Sequence, residues 1–154
     1  MSKNLTLTIR SYQETDLAEV LAIFKSNIPQ YFAAEETQDL LHYLSHERED
    51  YLVCISEGKL IAAGGINYTK EKGKAYLSWD FVDREQHGKG IGSALLAERL
   101  IRIQQKPDIS EIVVRTSQVA CDFYQKKGFV IREIHRDYWA EGLDMVYMVY
   151  LEEK

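Results

Sequence analysis

Leu5, Leu7 and Ile9 alternate with Thr6, Thr8 and Arg10, the period-two pattern of a strand with one buried face. The period then changes. Leu17, Val20, Leu21, Phe24 and Ile28 recur at helical spacing, with Thr15 or Asp16 placed to cap that helix and Pro29 to stop it. Thr37 is the expected cap of a second helix with the apolar stripe Leu40, Leu41 and Leu44. Tyr51 to Ile55, Leu60 to Tyr68 and Ala75 to Val82 read as three strands of an antiparallel meander, separated by the turns Ser56-Glu57-Gly58-Lys59 and Glu71-Lys72-Gly73-Lys74. Gly64-Gly65, inside the second of these strands, predicts a bulge or a close backbone approach.

The next helix runs from Ile91 to about Ile103, with Glu98, Arg99 and Arg102 expected on its solvent side. Ile112-Val113-Val114 is a short buried strand. A right-handed crossover makes it parallel to the strand ending at Val82. Ser117 is the expected cap of a helix from Gln118 to Lys127, closed by Gly128. Phe129 to Ile131 and Asp144 to Leu151 read as the last strands, joined by Asp137 to Gly142. The order β-α-α-β-β-β-α-β-α-β-β describes an α/β (α+β) fold. It is one mixed, mostly antiparallel sheet of about seven strands with four helices on both faces. Residues 1–154 read as a single domain, the size expected for one core.

Charge and cysteine content narrow the partners. A net charge of −5 argues against nucleic acid and suits a cationic substrate. No apolar run is long enough for a membrane span, and the N-terminus does not read as a signal peptide. Cys54 and Cys121 lie in apolar contexts, the pattern of free thiols in a reducing cytoplasm. His42 and His46 stand four apart, but Tyr43 occupies the place where a zinc-protease motif needs Glu, so no metal is expected.

The densest chemistry lies in Val82-Asp83-Arg84-Glu85-Gln86-His87-Gly88-Lys89-Gly90-Ile91-Gly92-Ser93, between a strand and a helix start. Glycines let the backbone turn tightly, and a helix start offers free N–H groups and a positive dipole end, so the segment suits an anion. The spacing fits neither G-x-x-x-x-G-K-S/T nor G-x-G-x-x-G.

It does resemble the coenzyme A loop of the GNAT N-acetyltransferases, Q/R-x-x-G-x-G/A, with Gly90 and Gly92 in the small positions and His87 where the family prefers Gln or Arg. Ala120-Cys121-Asp122-Phe123-Tyr124-Gln125-Lys126-Lys127-Gly128-Phe129 is similar to a second signature of that family, A-x-x-F-Y-x-x-x-G-F. It follows the loop by about thirty residues, in the family's element order.

The resemblance implies the GNAT fold and acetyl transfer from acetyl-CoA to a primary amine by direct attack in a ternary complex. It places coenzyme A against Phe81, Val82, His87, Gly88, Lys89, Gly90, Ile91, Gly92, Ser93 and Ser117. Tyr124 falls in the position of the general acid. An N–H near Phe81 or Val82 would polarise the acetyl carbonyl. Asp80, the only carboxylate on that strand before the loop, is the first candidate for the base. Glu35, Glu36, Asp137 and Glu141 are alternatives in the connections. Tyr31, Phe32, Glu35 and Tyr138, with Trp139 beside it, fall where the family binds its acceptor, and aromatics beside carboxylates suit a small cationic amine. A protein N-terminus as acceptor and a non-catalytic acyl-CoA-binding module are the rival readings. The last strand, apolar on both faces, fits an interior position or a dimer contact, so a monomer and a homodimer both stay open.

Overall fold

Alternation and turn chemistry produce strands β1 (Thr8–Ser11), β2 (Asp50–Ser56), β3 (Lys59–Thr69) and β4 (Lys74–Val82), followed by β5 (Glu111–Thr116), β6 (Phe129–Ala140) and β7 (Leu143–Tyr150). The helices are α1 (Leu17–Lys25), α2 (Glu36–His42), α3 (Ile91–Gln104) and α4 (Cys121–Lys126). The computed structural model describes residues 6–151, so Leu5 of the expected first strand lies outside them. The strands form one sheet in the order β1-β2-β3-β4-β5-β7-β6, antiparallel except for the β4–β5 pair. This is the sheet that the hydrophobic pattern predicts. The last strand is interior, hydrogen-bonded to β5 and β6, which accounts for apolar residues on both of its faces.

The two faces carry different helices. Val20, Phe24, Leu40 and Leu44 of the N-terminal helical region close over Tyr51, Val53 and Phe81. On the other face Leu96 and Ile103 of α3 and Tyr124 of α4 pack against Ile66, Leu77, Val114 and Met148. Among the described residues no helix is long and apolar enough to cross a membrane.

Helix starts differ from the sequence expectations. Asp16 does not cap α1. Its carboxylate accepts from Gln13 N at 2.8 Å and pairs with Arg10 at 2.8 Å, pinning a 3-10 turn (Glu14–Asp16) ahead of the helix. Thr37 does not cap α2, because Glu36 reaches back to accept from Ala33 N at 2.7 Å. Ser117 is not the cap of α4 either. Its carbonyl closes a turn with Ala120 N, and the helix begins at Cys121. β6 runs to Ala140, so Tyr138 and Trp139 belong to a strand rather than a connection.

Candidate active site

The site begins with a β-bulge. Ala63 faces Phe81 and Gly65 faces Ser78, so Gly64 alone stands opposite both Trp79 and Asp80. Trp79 takes φ +47°, and its carbonyl accepts from the buried Tyr51 hydroxyl at 2.8 Å. The extra residue shifts the side-chain phase of β4 by one. Trp79 and Phe81 therefore both face the α1 side, where each packs against Phe24 and Phe32. Asp80 faces α3, on the side opposite Trp79 and Phe81, as alternation predicts. The two glycines make room for this. A Cβ on Gly64 would lie 2.7 Å from Asp80 Cβ, and one on Gly65 would lie 2.5 Å from Tyr51 Cδ1.

The bulge also parts the sheet. β4 pairs with β5 only from Lys74–Glu111 to Leu77–Val114, whereas Arg115 and Thr116 pair with β7 alone. Ser78 to Val82 therefore border an opening beside β5. A cleft of about 920 Å³ passes through it. Phe81, Val82, His87, Gly88, Gly90, Ile91, Gly92, Ser93 and Ser117 all line this cleft. Lys89 does not, because its Nζ bonds Gln86 Oε1 at 3.1 Å. Gly88 and Gly90 adopt φ +81° and +82°, a region open to glycine at little cost, and Gly90 delivers the chain into the first turn of α3. His87 Nε2 lies 2.8 Å from Val82 O, which can only accept, so Nε2 carries the proton. The side chain at this position therefore ties the glycine loop to the end of β4.

Across the cleft the Tyr124 hydroxyl of α4 donates to Asp80 Oδ2. The same oxygen accepts from Arg99 Nη2 at 2.7 Å. Arg99 is only 1% exposed, and its Nη1 donates to Gly65 O at 3.3 Å. Burial raises the Asp80 carboxyl, but the Arg99 charge and the hydrogen bonds from Tyr124 and Arg99 outweigh it, leaving the group below the ordinary carboxylate range. Burial and then the Asp80 charge push the Tyr124 phenol well above its ordinary value. Removing one partner of such a buried pair strands a charge and typically costs about 3–5 kcal/mol. Arg99 is thus an interior residue, against the expectation of a solvent-facing one. The sequence signal is its spacing: it stands four after Leu95 and four before Ile103, both buried on the same stripe.

Residues of the α1 and α2 side line the same cleft. Phe32 and Trp79 stack with rings 6.2 Å apart, and Tyr31 meets His87 edge-on at 5.3 Å. Tyr31 and Phe32 line the cleft as expected. Glu35 is exposed and does not, whereas its buried neighbour Glu36 does. Tyr138 is half exposed outside the cleft, and Trp139 takes its place, with Nε1 donating to Thr116 O at 3.0 Å. These shifts by one residue reflect the boundaries of α2 and β6. Asn67 Oδ1 accepts from Tyr43 at 2.5 Å and from Ser78 at 2.8 Å, a polar wall that no sequence motif marks. Asp137 is engaged by its own turn, accepting from Gly142 N at 2.8 Å.

Burial raises the Glu36 carboxyl above its ordinary value, partly offset by the Ala33 N–H. The protonated form is therefore favoured in the fold, and ionisation at neutral pH costs stability. Glu36→Gln keeps an oxygen acceptor for Ala33 and should melt at a higher temperature at neutral pH. The advantage should vanish as pH falls below the ordinary carboxylate range, where Glu36 is protonated folded or unfolded.

A family model described as Acetyltransferase (GNAT) domain matches residues 11–152. The chain belongs to the GNAT acetyltransferase family. Solved structures agree on the GNAT fold. A GNAT-family protein from Desulfovibrio desulfuricans superposes with a TM-score of 0.78 at 19% identity, covering 96% of this chain and 99% of that one. An aminoglycoside 6'-N-acetyltransferase complexed with coenzyme A gives 0.72 at 11% identity, covering 96% and 99%. Naa50 from Arabidopsis thaliana, in complex with the bisubstrate analogue CoA-Ac-MVNAL, gives 0.72 at 19% identity, covering 95% and 99%. No curated protein matches the chain by sequence. In this GNAT domain the glycine loop, the open edge of β4 and the hydrogen-bonded Tyr124–Asp80 pair all line one cleft.

Proposed function

We propose that the protein transfers the acetyl group of acetyl-CoA to a primary amine by direct attack in a ternary complex. The observation that carries this reading is the Tyr124–Asp80 pair, set where the cleft passes between β4 and β5. The backbone of Gly88 to Ser93 and the start of α3 would hold the pyrophosphate. An N–H of the Phe81–Val82 stretch would polarise the acetyl carbonyl. The amine nitrogen attacks that carbonyl, a C–N bond forms and the C–S bond breaks. The departing thiolate takes the Tyr124 proton, and Asp80 takes the proton that the nitrogen must lose.

The far end of the cleft supports a small, cationic acceptor. Phe32, Tyr43 and Trp79 supply aromatic surface, and Glu36 and Glu47 line the same space. Purified protein with acetyl-CoA should release free thiol in the presence of one or more of a polyamine, an aminoglycoside, an arylalkylamine or a peptide with a free N-terminus. Tight calorimetric binding of coenzyme A with no thiol release from the whole panel would overturn acetyl transfer in favour of a binding module.

The pH profile follows from the same site. Asp80 is held ionised, so the acid-side decline should follow protonation of the acceptor amine. Tyr124 is held protonated above the ordinary 10.0, so turnover should rise with pH and show no falling limb up to about pH 10. Initial rates across the range check this.

A further inference from the structure

We propose that Arg99 is the positioning residue that couples Asp80 and Tyr124 into one proton circuit, holding Asp80 ionised and so directing the Tyr124 hydroxyl at it. The inference rests on the acetyl-transfer reading for its chemistry, but its geometry stands apart. Asp80 Oδ2 receives both the Tyr124 hydroxyl and Arg99 Nη2. Arg99 is itself held by Gly65 O, the carbonyl beside the bulge that turns Asp80 toward α3. Its Nε is buried without a partner among the described residues, so this guanidinium is spent on the site at a cost the fold does not fully offset. An arginine kept only for packing would be better served by an apolar residue, since its neighbours on the helix stripe are Leu95, Leu96 and Ile103.

The coupling joins the two ends of the reaction. Attack on the acetyl carbonyl leaves a proton too many on the nitrogen, and departure of the thiolate leaves one too few on sulfur. Asp80 takes the proton from nitrogen. Tyr124 gives its own to sulfur and is refilled across the Asp80–Tyr124 hydrogen bond. The pair ends in its starting protonation state, and the net movement is one proton from nitrogen to sulfur. Arg99 does not exchange a proton, because a guanidinium stays charged. Its charge keeps Asp80 able to accept.

The other titratable groups facing Asp80 and Arg99 are neutral in the relevant range. Tyr51 of β2 sits with its hydroxyl on Trp79 O, and burial raises it well above its ordinary value. Tyr43, from the π-helical turn (Tyr43–Glu47) after α2, is raised by burial to about 12. Cys54 of β2, also within the field of Arg99, is raised by burial to about 11. Arg99 is therefore the cation that sets the state of Asp80 among the described residues.

The test compares the wild type with Arg99→Met and Arg99→Lys. Carboxyl-carbon NMR titration, with the Asp80 signal assigned through Asp80→Asn, needs no acceptor. Asp80 should titrate below the ordinary carboxylate range in the wild type and above it in Arg99→Met. Where an acceptor turns over, Arg99→Met should lower kcat by about tenfold or more, while coenzyme A binding by calorimetry stays within about twofold. Arg99→Lys keeps a charge but loses the fork to Gly65, and should recover part of kcat and of the titration shift. It also carries the comparison if Arg99→Met does not fold. An unmoved Asp80 titration, or an unchanged kcat in Arg99→Met, would overturn the proposal. Absence of transfer by the wild type would instead count against acetyl transfer, with the titration still deciding the role of Arg99.

Discussion

Tyr124→Phe should lower kcat for acetyl transfer by about a hundredfold or more while the coenzyme A dissociation constant changes by about threefold or less. The substitution is unusually clean here. The ring packs edge-on against Phe123 at 5.0 Å and Phe129 at 5.4 Å, and phenylalanine preserves both contacts. Only the hydroxyl is lost, and with it one of the two donors on Asp80 Oδ2. Arg99 still holds the carboxylate, so no buried charge is stranded. Tyr124 lines the cleft, and its phenol is held protonated at neutral pH. Stopped thiol-release assays and calorimetry on the same preparations separate chemistry from binding. Equal losses in kcat and in coenzyme A affinity would reduce Tyr124 to a residue that positions the sulfur.

Gly64→Ala should cost about 1–3 kcal/mol of stability and most of the activity, although Gly64 does not line the cleft. Its Cβ would lie 2.7 Å from Asp80 Cβ and 3.2 Å from Asp80 Cα. The second of these is backbone and cannot swing away. Leu95 Cδ2, at 3.0 Å, can yield, but the strand cannot without opening the bulge. Opening it would return Asp80 toward the face of Ser78 and break its contacts with Arg99 and Tyr124. Gly92→Ala is the matched comparison for stability. Its Cβ would meet Phe123 at 3.6 Å and Val82 at 3.8 Å, which is ordinary contact, and alanine in a helix is favourable. Urea unfolding of both variants, with kcat for Gly64→Ala, checks the expectation.

Much of this architecture was legible because it follows from periodicity. The meander, the crossover through α3 and the interior position of β7 all follow from where apolar residues repeat and where turn residues interrupt them. The coenzyme A loop and the Tyr124 segment were legible for a different reason. Each is a local run whose backbone demands leave a residue-type signature. Capping failed as a guide at Asp16, Thr37 and Ser117, because in each case a side chain or carbonyl found a partner just outside the helix. Glu35 and Tyr138 missed the cleft by one position each, since rotation about an element decides which of two neighbours points inward. His87 lines the cleft as expected, with a partner no motif marks, a carbonyl five residues earlier in the chain.

The sequence by itself determined the sheet, the loop and the identity of the hydroxyl at the floor of the cleft, because these depend on local pattern. Only the tertiary structure decided what that hydroxyl touches. Asp80, Arg99 and Tyr124 come from a strand and two helices, and they meet because one extra residue opposite Gly64 turns Asp80 toward α3. Arg99 looks like a surface charge until the stripe on which it stands is packed against the sheet, where its burial makes a single paired carboxylate decisive.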